Sequence, residues 1–196
     1  MTIFAFEDGQ TPLTPDESDG LIPEYITLRS ELNEAEQQNI LTAEGWLFRA
    51  RRKEIFVEQF VKLVHKRMFN RVWRWAGAFR LTNKNLGCEW WEIAPELHNI
   101  LRDAAAWIEH RAYEADEIAV RFHHRLVKIH AFPNGNGRHA RLMADYVVQS
   151  LGGNRFPWGR TQLVQPSEIR QRYIRALKAA DQEDITSLLA FARSSD

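Results

Sequence analysis

The sequence predicts an all-α fold, and three observations support this prediction. Apolar residues recur at helical spacing through most of the chain, and glycine or proline marks where these runs start and stop. β character is confined to residues 80–93, where Gly87 lies in the middle as a turn residue. The chain has 196 residues, 44% of them hydrophobic, with seven tryptophans, which suits one globular core. Many helices and one small hairpin therefore predict a single, essentially all-α domain.

The predicted elements follow one another in a simple order. Residues 1–30 are rich in acids and turn formers, and they predict an extended or loosely docked arm with a short helical turn at 14–17. Residues 31–196 predict one domain. Its helices are expected at 31–52, 53–71, 95–110, 115–129, 138–151, 166–180 and 184–193.

The most informative stretch is residues 130–141, which read His-Ala-Phe-Pro-Asn-Gly-Asn-Gly-Arg-His-Ala-Arg. Gly135 and Gly137 can adopt φ > 0 and, lacking a Cβ, let backbone N–H groups approach an anion closely. Consecutive N–H groups in such a turn form an anion-binding nest. Because a helix is predicted to begin directly after it, the helix dipole and free N–H groups also favour phosphate. The stretch therefore predicts a phosphate site.

Side chains in the same stretch support that prediction. Arg138 and Arg141, three residues apart, share one face of the first helical turn. Two cations there oppose the helix dipole, so the arrangement makes sense if an anion completes it. His130 is suited to accept a proton near neutral pH, because an imidazole has an unperturbed pKa of about 6.5. The amides of Asn134 and Asn136 either bind a phosphate oxygen or brace the turn.

Each of these features alone has an ordinary interpretation. A lone histidine near a helix end is more often a capping or core residue, and Gly-Asn-Gly is more often a plain turn. The combination of these residue types in one register favours a functional site.

The stretch resembles the signature of the Fic family, His-x-Phe-x-(Asp/Glu)-Gly-Asn-Gly-Arg-x-x-Arg. Asn134 stands where the family usually has an acidic residue, and Ala131 stands where proline is frequent. Residues 75–80, Trp-Ala-Gly-Ala-Phe-Arg, resemble the family segment that precedes a target-docking flap, so residues 81–93 are expected to form a hairpin flap beside the active-site loop of a Fic-type helical bundle. The matching signature positions are His130, Phe132, Gly135, Asn136, Gly137, Arg138 and Arg141.

The resemblance implies a protein adenylyltransferase, which transfers AMP from ATP to a Ser, Thr or Tyr hydroxyl of a target protein docked at the flap. His130 would act as the catalytic base. Phosphate oxygens of ATP would be bound by the other site residues, namely Gly135, Asn136, Gly137, Arg138 and Arg141. Asn134 would occupy the position that holds Mg²⁺, although an amide oxygen contributes no charge to the metal.

Glu44-Gly45 matches the last two letters of an inhibitory motif found in many Fic proteins, (Ser/Thr)-x-x-x-Glu-(Gly/Asn). Ile40 stands at the Ser/Thr position, which breaks the match. The alternative, a solvent-facing or ion-paired Glu44, is favoured over an inhibitory glutamate.

The amino-terminal part of the chain resembles the subgroup called mobile mystery protein B, which implies a helix-turn-helix partner protein. Two alternatives to AMP transfer stay open: phosphotransfer from ATP, and a non-catalytic partner-binding module of a two-gene locus with that helix-turn-helix protein.

Composition and charge exclude several other classes of function and partner. The chain has 26 basic and 26 acidic residues, so no overall charge indicates nucleic acid or a membrane surface as partner. No run approaches the roughly 20 apolar residues that a membrane helix needs. The single cysteine, Cys88, excludes an internal disulfide and fits a reducing cytoplasm, and the first residues do not resemble a signal peptide. His123, His124, His130 and His139 lack the spacing and the cysteine or acidic companions of a zinc site.

Overall fold

The computed structural model describes residues 12–49, 54–159 and 166–195. A short 3₁₀ turn, Trp90–Glu92, precedes α4. The helices are α1 (Pro15–Ser18), α2 (Arg29–Phe48), α3 (Glu58–Phe69), α4 (Ile93–Glu109), α5 (Ala115–Ile129), α6 (Asn136–Ser150), α7 (Pro166–Asp181) and α8 (Thr186–Arg193). The all-α prediction is confirmed.

Helices α5 and α6 form the centre of the molecule. They pack against each other more extensively than any other pair of described elements, and α4 and α8 pack on α5 while α2 and α3 pack on α6. Side chains such as Phe122 and Val147 are completely buried between these layers. The loop 130–135 joins the two central helices, so the signature stretch starts at the best-packed junction of the fold.

Helix boundaries agree with the sequence prediction most closely where capping is local. The helix predicted at 115–129 coincides with α5. The prediction for α2 missed its start, which lies at Arg29 because the Glu31 carboxylate accepts hydrogen bonds from the N–H groups of Thr27 and Leu28 at 2.8 and 2.9 Å. Residues 50–53, where one predicted helix passes into the next, lie outside the described residues.

The predicted hairpin at 81–93 is wrong, since the structure contains no strand in this segment. Residues 80–88 pair instead with the end of α5 and the loop after it: Arg80 N–H donates to the Ala131 carbonyl at 3.0 Å and Cys88 N–H to the Ile129 carbonyl at 3.3 Å. The Arg80 guanidinium also donates to the carbonyls of Thr82 and Cys88. A buried side chain therefore takes the place of the cross-strand hydrogen bonds that would make a hairpin.

The described part of the predicted arm is docked, not loose. Thr14 and Glu17 form a reciprocal capping box at α1, which agrees with the helical turn predicted there. Glu17 also makes an ion pair with Lys84, and its carbonyl accepts the Trp75 indole N–H at 2.9 Å. These contacts attach the amino-terminal segment to the loop 81–89, while the boundary at residue 30 stays a prediction.

Within the described ranges, no helix is long and apolar enough to cross a membrane.

Candidate active site

His130 ends α5 in a left-handed conformation, with φ 54° and ψ 54°. Residues other than glycine seldom adopt this region, and such conformations cluster at functional sites. The His130 N–H still donates to the Leu126 carbonyl at 3.2 Å, so the helix is closed normally before the chain turns into the loop. This strained position lies at the junction of α5 with the loop that leads to α6.

His130 is buried, with 9% of the residue exposed. Burial, followed by the nearby Arg80 cation, lowers its pKa to about 4, although a hydrogen bond with the Val127 carbonyl acts in the opposite direction. The ring is therefore neutral near pH 7. A neutral imidazole whose one nitrogen bonds a backbone carbonyl keeps its other nitrogen as a proton acceptor.

The segment from Arg80 to Gly87 covers this histidine. Arg80 is buried, and its Nε–H donates to the His130 carbonyl at 2.7 Å. Gly87 has φ 101°, and a Cβ there would stand 2.6 Å from the His130 Cβ and 2.9 Å from Arg80 Nη2. Only glycine fits this approach, so the covering loop and the histidine are mutually positioned.

The turn before α6 is braced by its own side chains. Gly135 has φ 79°, and a Cβ on it would lie 2.5 Å from the Phe69 ring, which explains the glycine. The Asn136 side chain is buried; its oxygen accepts the Phe132 N–H at 2.9 Å and its amide donates to the Phe132 carbonyl at 2.8 Å. Of the two roles left open for Asn136, the structure shows the bracing contacts.

Gly137 differs from Gly135 because none of the residues that the structure describes explains its lack of a side chain. A Cβ on Gly137 would meet only the Tyr173 hydroxyl, at an ordinary 3.8 Å, and its φ is not positive. A glycine at such a place permits another molecule to approach the backbone closely.

His65, which the sequence reasoning missed, supports the turn before α6 through hydrogen bonds. Its Nδ1 accepts the Gly77 N–H at 3.0 Å, so the neutral ring carries its proton on Nε2, which donates to the Asn134 carbonyl at 3.1 Å. The ring also stacks on Phe132, with centroids 3.7 Å apart. Burial holds the pKa of His65 well below its usual value, which keeps the ring neutral, and its two partners fix the tautomer. The only feature of the sequence that could have indicated this role was a lone histidine on the apolar face of α3.

The two predicted arginines lie on the first turn of α6 and have different neighbours. Arg138 forms an ion pair with the buried Glu36 at 2.6 Å, and Glu36 also accepts the Trp73 indole N–H at 2.7 Å. Arg141 donates from Nε to the Gly137 carbonyl at 3.3 Å, and its guanidinium lies 5.4 Å from the centroid of the Tyr173 ring. Sequence reasoning did not identify Glu36 as a partner of this site.

Glu44 makes an ion pair with Arg155 at 3.2 Å. This matches the favoured interpretation of an ion-paired glutamate, with a partner that the sequence did not suggest. Glu36, two helical turns earlier on α2, is a carboxylate that does reach a signature arginine, Arg138.

Asn134 is the candidate metal ligand. Its side-chain oxygen accepts the Gly135 N–H at 2.6 Å. A carboxamide oxygen is a donor of the type that Mg²⁺ takes, and a second lone pair remains on it, so the residue fits the metal in chemistry but adds no charge. Among the residues that the structure describes, no three His, Cys, Asp or Glu side chains converge on a metal site.

Comparisons with known proteins agree with this geometry. Residues 55–148 match the model of the Fic/DOC family. The chain is 30% identical over 120 residues to protein adenylyltransferase fic-1 of Caenorhabditis briggsae and 28% identical over 120 residues to fic-1 of Caenorhabditis elegans. Each match covers 59% of this chain and 22% of the relative, so the chain spans about a fifth of the length of these curated proteins.

Solved structures with the same fold have lower identity. The BepC protein of Bartonella tribocorum, crystallised with AMPPNP, has a TM-score of 0.68 at 15% identity, over 92% of this chain and 97% of that chain. An amino-terminal Fic domain from Bartonella quintana with bound ADP has a TM-score of 0.66 at 16% identity, over 87% and 86% of the two chains. A segment of Fic-1 from Caenorhabditis elegans has a TM-score of 0.64 at 20% identity, over 89% and 50%. Signature loop, helical fold and family match together show that residues 55–148 form a Fic/DOC domain.

Proposed function

We propose that the chain is a nucleotidyltransferase that moves AMP from ATP to a hydroxyl group of a target protein. One observation carries the proposal: a buried, neutral His130 directly precedes an anion nest with two arginines on the following helical turn. The names of the relatives, protein adenylyltransferases, and the nucleotides bound to two structural neighbours support it.

In the proposed reaction, His130 accepts the proton of a target Ser, Thr or Tyr hydroxyl. The hydroxyl oxygen forms a bond to the α-phosphorus of ATP, the bond between that phosphorus and the α,β-bridging oxygen breaks, and pyrophosphate leaves. The backbone N–H groups at the start of α6 and the guanidinium groups of Arg138 and Arg141 offset the charge of the polyphosphate. Such a reaction depends mainly on positioning and charge neutralisation, which these residues provide.

Mg²⁺, when bound, would add charge neutralisation at the phosphates. Asn134 would contribute an oxygen ligand to it. Because no carboxylate stands at this position, the phosphate oxygens of the nucleotide would have to supply the negative ligands.

The target protein is proposed to dock on the loop 81–93. This segment exposes large apolar side chains, including Leu81 at 75% and Trp91 at 58%. Trp90 and Trp91 meet edge to face with ring centroids 5.7 Å apart. Such a patch favours an apolar or aromatic target segment. A helix-turn-helix partner remains a proposal that rests on sequence resemblance alone.

The test uses purified protein, Mg²⁺, and ATP labelled separately at the α- and γ-phosphates, with cell lysate as acceptor. We expect label on protein from the α-position only, and none with His130→Ala. His98→Ala, which changes an exposed histidine of α4, is the matched control and should act like the parent.

Other outcomes would redirect the proposal. Label from the γ-position would mean phosphotransfer, and equal labelling by the parent and His130→Ala would remove His130 from the reaction. No label from either position with Glu36→Gln, which releases Arg138, would favour the partner-binding module.

A further inference from the structure

Tyr173 lies outside the segment matched to the family, 55–148, yet α7 brings it to the start of α6. Its hydroxyl oxygen lies 3.8 Å from the point where a Cβ on Gly137 would stand. Its ring lies below the Arg141 guanidinium, whose carbon is 5.4 Å from the ring centroid. Tyr173 therefore adjoins both the phosphate nest and the second signature arginine.

The phenol of Tyr173 is held by His123 from α5, with 3.0 Å between the hydroxyl oxygen and Nε2. Burial raises the pKa of Tyr173 to about 12, and burial together with the Arg141 cation lowers the pKa of His123 to about 3. Both groups are therefore neutral near pH 7. The imidazole is itself packed against Trp158, with centroids 4.7 Å apart, so the pair belongs to a rigid part of the core.

This pair supports Arg141 differently from the way Glu36 supports Arg138. The Nε–H of Arg141 is held by the Gly137 carbonyl at 3.3 Å, and the ring face of Tyr173 lies against the guanidinium. An aromatic face attracts a cation through its quadrupole and accepts no conventional N–H hydrogen bond. The ring can thus orient the guanidinium without offering it a competing carboxylate.

We propose that Tyr173, held by His123, is a positioning residue that orients Arg141 towards the terminal phosphate and so sets the preference of the site for a nucleoside triphosphate over a diphosphate. The preference rests on the proposed function, in which ATP occupies the nest. The orientation of Arg141 in the free protein does not depend on that function, and it gives an independent test.

The first measurement compares the dissociation constants of AMPPNP and ADP, both with Mg²⁺, for the parent, Tyr173→Leu and Tyr173→Phe. Tyr173→Leu should reduce the preference for AMPPNP about tenfold, because it removes a cation–π contact next to the arginine. Tyr173→Phe keeps the ring and should lose about threefold or less. Tyr146→Leu is the matched control, since Tyr146 is a buried tyrosine of α6 that packs on Phe48 and Phe60 instead of Arg141.

The second measurement follows the Arg141 Nε–H group by NMR without nucleotide. We expect a signal protected from solvent exchange in the parent, Tyr173→Phe and Tyr146→Leu, and its loss in Tyr173→Leu. Retention of that signal in Tyr173→Leu, or equal losses of AMPPNP preference in Tyr173→Leu and Tyr146→Leu, would overturn the positioning role. If the parent binds neither nucleotide, the proposed function and the triphosphate preference fail, while the Nε–H signal still decides whether Tyr173 orients Arg141.

Discussion

Two parts of the site are built on different principles. The base side, defined as His130 with the covering residues Arg80 and Gly87, is held by backbone carbonyls and close packing inside the protein. The arginine side is defined as Arg138 and Arg141. The guanidinium of Arg138 contacts the Glu36 carboxylate, which an anion can replace, and that of Arg141 lies against the Tyr173 ring face, to which an anion can be added. The base side is therefore complete without ligand, whereas the arginine side is arranged for one.

This comparison predicts different consequences for changes in the two parts. Changes on the base side should lower stability and transfer together, because the same contacts maintain both. Changes on the arginine side should alter nucleotide affinity with little effect on the free energy of unfolding.

The largest effect is expected from Gly87→Ala. A Cβ would stand 2.6 Å from the His130 Cβ at φ 101°, so the covering loop must move. We expect a loss of about 2–3 kcal/mol in the free energy of unfolding and about a hundredfold in transfer rate. Chemical denaturation and the labelling assay measure the two losses.

Gly45→Ala provides the control for Gly87→Ala. Gly45 lies in α2, and apart from the helix backbone no atom of the described residues stands within 4 Å of the point that a Cβ on it would occupy. Alanine should therefore raise stability by about 0.5–1 kcal/mol and leave transfer unchanged. Full transfer activity in Gly87→Ala would contradict the claim that the covering loop positions His130.

Acid should lower the free energy of unfolding through His130 on the base side, because the arginines keep their charge as the pH falls. His130 has a folded pKa of about 4 against 6.5 for the unfolded chain, so the unfolded state binds more protons between these values. Stability from this group is therefore constant above pH 6.5 and falls by about 3 kcal/mol as pH drops to 4.

Denaturation of the parent and His130→Asn at pH 7.5, 6 and 5 measures this slope. Asparagine tolerates the left-handed backbone and does not titrate, so its stability should depend less on pH than that of the parent. His98→Ala should keep the parent's slope, because this histidine is exposed. Parallel curves for parent and His130→Asn would contradict the buried, neutral imidazole.

On the arginine side, Glu36→Gln should strengthen nucleotide binding about tenfold, since Arg138 loses a charged competitor at 2.6 Å. The amide oxygen still accepts the Trp73 indole N–H, so stability should change little. Calorimetric titration with AMPPNP gives the affinity. Glu44→Gln, on the same helix and paired with Arg155, should leave affinity at the parent value; equal gains in both variants would show a general charge effect.

The smallest effect is expected from Asn134→Asp. A carboxylate oxygen can accept the Gly135 N–H as the amide does and adds a negative charge for the metal. We expect half-maximal transfer at about threefold lower Mg²⁺ concentration. An unchanged or higher Mg²⁺ requirement would mean that residue 134 does not contact the metal.

Much of the site was predictable from local sequence. Gly135 and the helix after it follow from the turn chemistry of neighbouring residues, and the choice of His130 as the base follows from the signature stretch. The neutral state of its ring follows from burial and from Arg80, which are tertiary features. The hairpin predicted at 81–93 is absent, because the backbone N–H groups of Arg80 and Cys88 pair with the carbonyls of Ala131 and Ile129 and not across a turn. A pattern of alternating residues cannot reveal that a buried arginine 50 positions from His130 has replaced those hydrogen bonds.

The sequence by itself determined the all-α class, most helix ranges and the identity of the signature loop, since each depends on residues a few positions apart. Only the tertiary structure decided the partners of that loop. His65 meets Asn134 across 69 positions, and Glu36 meets Arg138 across 102. Periodicity and turn chemistry describe neighbours along the chain, whereas burial, pKa shifts and ion pairing depend on which distant surfaces the packed helices bring together.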